Sequence, residues 1–244
     1  MHHSIDQAPG HPEVLRIVAP NPGPMTLEGT NTYLYGSDPC VVIDTGSEDE
    51  GHLEAIRAAA AERGGVGTVL LTHSHGDHAA GADRLGAEVI LPSGGDIHAG
   101  LRALATPGHA ADHVCLLSED GVCFAGDLVL GVGSTIVPPG GSSLAAYMNS
   151  LRLLQAQEID LMAPGHGPWI EDPQAKLAEY VEHREMRERR LLAALDRGER
   201  SRAALLAEVW DDVPIELLPM AAMALEAHLE KLEDEGRLPD RLVA

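Results

Sequence analysis
Three imidazoles and a carboxylate fall within six residues in the run His73-Ser74-His75-Gly76-Asp77-His78. An apolar stretch, Thr68–Leu71, leads into it, and a helix is expected to follow. Each ring needs polar partners and packs poorly, so such a cluster serves a core badly and a metal well. His73 and His75 are two residues apart, and in extended chain both rings point to the same side. Asp77 and His78 sit on the next turn and can face a neighbouring point. That pattern suits two adjacent metal ions better than one. Neutral imidazoles with a few carboxylates favour zinc, with iron and manganese as competitors.

Three later residues extend the set. His109 lies in Thr106-Pro107-Gly108-His109, Asp127 follows Phe124-Ala125-Gly126, and His166 lies in Pro164-Gly165-His166-Gly167. Each stands where a strand-like run gives way to a glycine-containing turn. Alone each is ordinary. Together with the first cluster they read as ligands, because strand ends on one edge of a layered sheet can converge on one site. Asp44, after the run Cys40–Ile43, reads as a support that orients a metal-ligating histidine. His113 reads as a second support, as substrate-facing, or as part of a strand start. His52, His98, His183 and His228 carry no partnering pattern and read as structural or surface residues.

The elements that must hold these residues follow from periodicity and turn residues. Val14–Val18, Thr32–Tyr35, Cys40–Ile43, Thr68–Leu71, Glu88–Leu91 and Ile159–Ala163 are predicted strands, and His113–Leu117 with Val122–Ala125 a hairpin. Gly51–Arg63 and Leu144–Gln155 are predicted helices, and another is expected over Gly76–Leu85. Strands alternating with helices make residues 1–172 an α/β layered domain. Asp172-Pro173 is a helix start, an N-cap followed by proline at the first helical position. Residues 173–244 then read as a small helical domain. It holds a long helix over 174–196, helices Ser201–Val209 and Ile215–Glu235, and a turn at Gly236-Arg237-Leu238-Pro239. Three helices and a closing turn are winged-helix-like; the alternative is a plain helical cap.

Composition narrows the function classes. A chain of 244 residues, 44% hydrophobic, buries a full core without disulfides. With a single Phe, that core must be built from Ala, Val, Leu and Ile. No run approaches the roughly 18 apolar residues of a membrane span. The first twenty residues show no basic start followed by an apolar stretch, so a cytoplasmic location is expected. Cys40, Cys115 and Cys123 lie in apolar runs without CxxC spacing, which fits buried, reduced thiols. The formal net charge is -21, from 17 basic and 38 acidic residues, and residues 1–174 hold only six of the basic ones. Such a surface disfavours non-specific nucleic-acid binding. Basic charge gathers on the predicted long helix as Arg184, Arg187, Arg189, Arg190 and Arg197. That group is either an anion or RNA contact, or a solvated face laced with Glu182, Glu185 and Glu188.

The set His73, His75, Asp77, His78, His109, Asp127 and His166, in that order, resembles the HxHxDH signature and the later ligands of metallo-β-lactamase-fold hydrolases. The resemblance implies an αββα sandwich with a site for two zinc ions at one edge. It implies that His73, His75 and His109 hold one ion, that Asp77, His78 and His166 hold the other, and that Asp127 bridges them. It also implies a metal-bridging hydroxide attacking an ester-like or phosphodiester centre, with Asp77 orienting or deprotonating that water. Other stretches are similar to the β-lactamase-like protein 2 subgroup over nearly the whole chain. They include Gly29-Thr30-Asn31-Thr32-Tyr33-Leu34, Tyr147-Met148-Asn149-Ser150-Leu151, His183-Arg184 with Arg187-Glu188, and Ala227-His228-Leu229-Glu230-Lys231-Leu232. That subgroup includes a mitochondrial single-strand endoribonuclease, and the same neighbourhood holds fungal polyketide thioesterases and many bacterial proteins of unassigned substrate.

The acidic body favours a small ester, thioester or lactone over RNA as the substrate. Against RNA stand the two lysines, Lys176 and Lys231, and the shortage of stacking aromatics. A promiscuous β-lactamase and a non-catalytic binding module are the remaining readings. The last has no physical need for seven ligand-type residues.

Overall fold
The computed structural model describes residues 4–140, 143–239 and 242. Strands β1 (Ile5–Ala8), β2 (His11–Val18), β3 (Asn31–Tyr35), β4 (Cys40–Ile43), β5 (Val66–Leu70) and β6 (Glu88–Ile90) form one sheet in chain order. Strands β1 to β4 pair antiparallel; β4, β5 and β6 pair parallel. The second sheet comprises β7 (Ile97–His98), β8 (Leu101–Ala105), β9 (Val114–Ser118), β10 (Val122–Gly126) and β11 (Leu161–Pro164), in the order β11-β10-β9-β8-β7. Its β10–β11 pair is parallel and the rest are antiparallel. Parallel neighbours need a crossover. Helix α1 (Glu50–Ala61) provides it between β4 and β5, and α3 (Leu144–Gln155) between β10 and β11. Side chains of Asp49 and Ser143 cap these helices, accepting from His52 N at 2.9 Å and Ala146 N at 3.3 Å.

The period of two along each strand builds three apolar layers. In β4, Cys40 and Val42 face α1, packing with Leu53, Ile56 and Ala60. Val41 and Ile43 face the second sheet and meet Leu116, Val122 and Phe124 between the sheets. On β9 and β10, Cys115, Leu117 and Cys123 face outward onto Tyr147 and Leu151 of α3. All three cysteines are free and buried. The order is helix, sheet, sheet, helix, the αββα sandwich that the resemblance implied. Strand β4 is apolar throughout because both of its faces are covered.

Helix α4 (Pro173–Asp196) serves two cores. Leu177 and Tyr180 pack on the α3 layer, whereas Leu191, Ala194 and Leu195 join α5 (Arg202–Val209) and α6 (Leu218–Asp234) in a separate apolar cluster around Trp210. Asp172 caps α4 through Ala175 N at 3.0 Å, with Pro173 at the first turn as expected. The expected helix over Gly76–Leu85 is instead a short helix α2 (Gly76–Ala79) and a 3-10 turn, Ala82–Leu85. The break lies at Gly81, where a Cβ would sit 2.8 Å from Leu53 of α1, so the chain presses against that helix and turns.

Candidate metal centre
Five strands deliver their C-terminal ends to one edge of the sandwich. Strands β4 and β5 are parallel, as are β10 and β11, and β8 runs in the same sense as β10 because both flank β9 antiparallel. Immediately beyond these ends lie Asp44, His73, His109, Asp127 and His166. The β10–β11 register shifts between Phe124 and Gly126, so Gly126 pairs with Pro164. That irregularity sets Asp127 beside the His166 turn.

The seven sequence-predicted donors come together. His73, His75 and His109 offer donor atoms within 4.8 Å of one another, as do His73, His78 and Asp127, and as do Asp77, His78 and His166. His75 Nδ1 lies 3.0 Å from His109 Nε2. Asp127 spans the two halves. Its Oδ1 is 3.4 Å from both His78 Nε2 and His166 Nε2, and its Oδ2 is 3.6 Å from His109 Nε2. Asp77 Oδ2 closes the second half at 3.3 Å from His166 Nε2. His75 and Asp77 face solvent, while His73, His78 and His166 are buried.

Hydrogen bonds on the far side of each ring fix which nitrogen points inward. His78 Nδ1 donates to Asp44 Oδ2 at 2.7 Å, His109 Nδ1 to Ile136 O at 2.8 Å, and His166 Nδ1 to Gly29 O at 3.2 Å. The Thr72 hydroxyl gives its proton to Asp44 Oδ2, so it accepts from His73 Nδ1 at 2.9 Å. In the neutral rings all four Nε2 atoms are therefore lone-pair donors toward a common space. Inside it, His73 Nε2, His78 Nε2 and Asp127 Oδ1 are buried with no hydrogen-bond partner among the described residues. Unsatisfied groups of this kind are costly unless something binds them. Inward imidazole lone pairs around a carboxylate are the donor set that a divalent cation takes.

The carboxylates draw protons onto two of these rings, which a bound cation would replace: burial works against a charged His78, but Asp127 and Asp44 outweigh it and raise the ring well above its ordinary value, and bonds to Asp127 and Asp77 likewise raise His166 to about 9. Burial opposes ionisation of Asp127, but His78 and His166 outweigh it and hold the carboxyl well below its ordinary range. Burial likewise works against the Asp77 carboxylate, and the bond to His166 with the charge of His78 brings it down to about 2. Burial pushes His73 down to about 2, with help from His78 and His113. His113 is pushed down to about 3 by burial and by His109. Its Nε2 accepts from Asp127 N at 3.1 Å and its Nδ1 bonds Thr106 Oγ1 at 2.9 Å. His113 is thus a support for Asp127, and Asp44 is a support for His78. His52 is buried against Thr32 Oγ1 at 3.0 Å, away from the site.

Some positioning residues lie in stretches that the sequence marks only as similar to the subgroup, with no role attached. Asn31 Nδ2 donates to Pro164 O and Gly167 O, each at 2.9 Å, and Tyr33 Oη donates to Pro164 O at 2.7 Å. Strand β3 thereby pins the His166 turn. Arg184 of α4 bonds Ser134 Oγ at 2.9 Å and the Thr135 carbonyl, holding the loop whose Ile136 carbonyl orients His109.

Comparison with known proteins gives a consistent result. The metallo-beta-lactamase superfamily model matches residues 25–95 and 86–166, and the beta-lactamase associated winged helix domain matches residues 201–239. Lactamase-like protein adaB of Aspergillus niger is 42% identical over 217 aligned positions, covering 80% of this chain and 66% of that protein. The beta-lactamase-like protein 2 homolog of Drosophila melanogaster is 34% identical over 266 aligned positions, covering 92% and 89%. The atrochrysone carboxyl ACP thioesterase of Aspergillus chevalieri is 38% identical, covering 75% and 66%. The chain thus spans just under two thirds of the two fungal relatives. A solved metallo-beta-lactamase family protein from Thermus thermophilus superposes with a TM-score of 0.74 at 25% identity, over 92% of this chain and 94% of that one. On these matches, the chain belongs to the metallo-beta-lactamase superfamily and carries the winged helix domain associated with it.

Proposed function
We propose that the protein is a zinc-dependent hydrolase of a small acyl ester, thioester or lactone, with a thioester as the preferred class. The observation that carries it is the convergence of two three-residue donor sets on Asp127. In this reading His73, His75 and His109 would hold one zinc ion and Asp77, His78 and His166 the other. Asp127 would be shared between them, and iron or manganese are the competing metals. When bound, the metals supply Lewis acidity, lowering the pKa of water and polarising a carbonyl oxygen. The chain supplies position. Asp44, Thr72, Ile136 and Gly29 lock the ring orientations, and His113 fixes Asp127. Asp77, half-buried at the mouth, is the anionic group placed to orient an incoming water and take its proton.

The substrate class rests on the charge around the site. Of the six arginines before α4, Arg57 and Arg84 bind Glu50, Arg63 binds backbone carbonyls, Arg102 binds Gln157 and Arg152 pairs with Glu185. Arg16 reaches the His166 turn, bonding Gly167 O at 2.9 Å, and its charge is matched by both oxygens of Asp6. Among the described residues before α4 this leaves no basic track for a polyanion. A cavity of about 490 Å³ lies beside the His166 turn, with Val18, Pro20, Val132 and Pro168 on its apolar side and Arg16 and Glu28 among its polar lining. Its apolar walls suit an acyl chain. A thiolate also leaves without needing a proton, which fits a site whose carboxylates are ionised. The name of the Aspergillus chevalieri thioesterase supports the same class.

The test is a paired assay on one zinc-loaded preparation, with an acyl thioester in one arm and labelled single-stranded RNA at low salt in the other. Thioester cleavage abolished by chelator, with RNA intact, is the expected outcome. Chelator-sensitive RNA cleavage with intact thioester would overturn the acyl reading and make the chain an endoribonuclease. Cleavage of neither, with full metal loading, would remove both.

A further inference from the structure
Three stretches outside the metal donor set meet at a second place. Met148 and Asn149 of α3, Arg184 and Glu188 of α4, and His228 and Lys231 of α6 line a cavity of about 510 Å³ between the sandwich and the C-terminal helices. Its most buried polar groups are His228, 1% exposed, and Arg184, 5% exposed. Neither ring nitrogen of His228 has a hydrogen-bond partner among the described residues, and neither has Arg184 Nε. Arg184 Nη2 bonds the neutral Ser134 Oγ and Thr135 O, and no carboxylate among the described residues pairs with the guanidinium. The carboxylates lining the cavity are matched elsewhere. Lys231 and Arg237 hold Glu188 and Glu235, and Arg152 holds Glu185. Burial pushes His228 down to about 3, and the charges that reinforce it, Arg184, Lys231, His183 and Arg187, are all on basic side chains. The wall formed by these two residues therefore holds a buried cation without a carboxylate partner and three unsatisfied nitrogens, in a chain of net charge -21. Leu144, Met148 and Leu192 give the same cavity an apolar side.

We propose that this cavity binds a small organic oxyanion with a short apolar arm, its head group on Arg184 Nε and His228 and its arm along Leu144, Met148 and Leu192. The neutral imidazole has one N–H to give, and the guanidinium gives a charge-assisted bond, the stronger of the two. A buried cation without a counterion gains most from such a ligand, because a carboxylate or phosphate removes the cost of leaving it unpaired. The volume is within the range of pockets that enclose small molecules.

The experiment uses the full, metal-loaded chain. Octanoate and octyl phosphate are titrated separately by calorimetry, and the ring nitrogens of His228 are followed by NMR on 15N-histidine-labelled protein. Saturable binding of one ligand per chain that moves the His228 signals is expected with at least one of the two. The stronger binder identifies the head group as carboxylate or phosphate. His228→Leu should weaken that binding by at least about tenfold. The wild-type spectrum reads the site even where the variant folds poorly. Binding that leaves the His228 signals unmoved, binding that persists unchanged in His228→Leu, or no binding of either probe would each overturn the proposal. None of these readouts depends on the hydrolase assay.

Discussion

Asp44 has a φ of +51°, in the left-handed region that costs a non-glycine residue about 1 kcal/mol or more. From there its carboxylate takes Thr72 N at 2.8 Å, Thr72 Oγ1 at 2.9 Å and His78 Nδ1 at 2.7 Å. Asp44→Asn would keep the volume but leave one oxygen for three donors. We expect metal affinity to fall roughly 10- to 100-fold with the fold intact, read by titration against a competing chelator. Unchanged affinity would make Asp44 a turn residue only. Gly165 is a second single-atom case. A Cβ there would collide with Asp127 Oδ1 and lie 2.7 Å from His78 Cε1. Gly165→Ala should therefore lower metal content per chain, and full loading by elemental analysis would show that the donors have room to move. The convergence of the seven candidate donors was legible in the sequence because imidazoles and carboxylates at strand ends have few other uses. Asp44 was legible for a similar reason, as a carboxylate directly after a buried strand. The roles of Thr72, Asn31 and Gly165 were not, since Asn31 acts on carbonyls 133 and 136 positions away and only the folded sheets bring them together.

At the scale of elements, β4 and α3 match their predicted bounds, and α1, α4 and α5 differ by a residue or two at their ends. These segments have strong periodicity and clear caps. The strands that periodicity passed over, β1, β7 and β8, lack that signal. Strand β1 is an edge strand with polar Asp6 and Gln7, β7 is two residues long, and β8 is Leu-Arg-Ala-Leu-Ala, poor in β-branched residues. The arginines of α4 admit two readings from sequence, and the structure divides them. Arg187 is buried and holds Asp212 and Val209 O, and Arg190 holds Asp211. Arg184 reaches instead to the loop beside the metal site. Tyr180 works with it, since its hydroxyl accepts from the buried Leu130 N at 3.0 Å. Tyr180→Phe would orphan that N–H and should cost about 1–3 kcal/mol in urea unfolding. A loss well below that range would mean that the backbone finds another acceptor. Arg184→Ala should raise amide exchange over residues 131–138 and lower kcat, because Ile136 O then holds His109 less firmly. Exchange and kcat both equal to wild type would sever α4 from the metal site.

For the whole molecule, the uneven charge separates two behaviours. The sandwich carries most of the net negative charge, while the C-terminal helices are laced with ion pairs that are mostly exposed and individually worth little. Acid response is governed more by histidines that fold into neutral, buried places. His228 is held down to about 3 by burial and neighbouring cations, and His183 to about 4 by burial and Arg184. In the unfolded chain both titrate near about 6.5. The unfolded state therefore binds the extra protons as pH falls. The stabilising contribution of each neutral ring is complete above about pH 6.5 and is lost on the way down to its folded pKa. For His228 the slope approaches about 1.4 kcal/mol per pH unit, and His183, only partly buried, adds a smaller, screened amount. His228→Leu removes the first contribution alone. Unfolding free energies are to be measured in urea between about pH 7.5 and 5, in buffers without carboxylate or phosphate. The difference between the two proteins should be constant at the upper end and shift steadily below about pH 6.5, with the variant losing less. Parallel curves throughout would mean that His228 is protonated or hydrogen-bonded in the folded chain, and its ring would then not be the neutral, unsatisfied group that the cavity between the two cores presents.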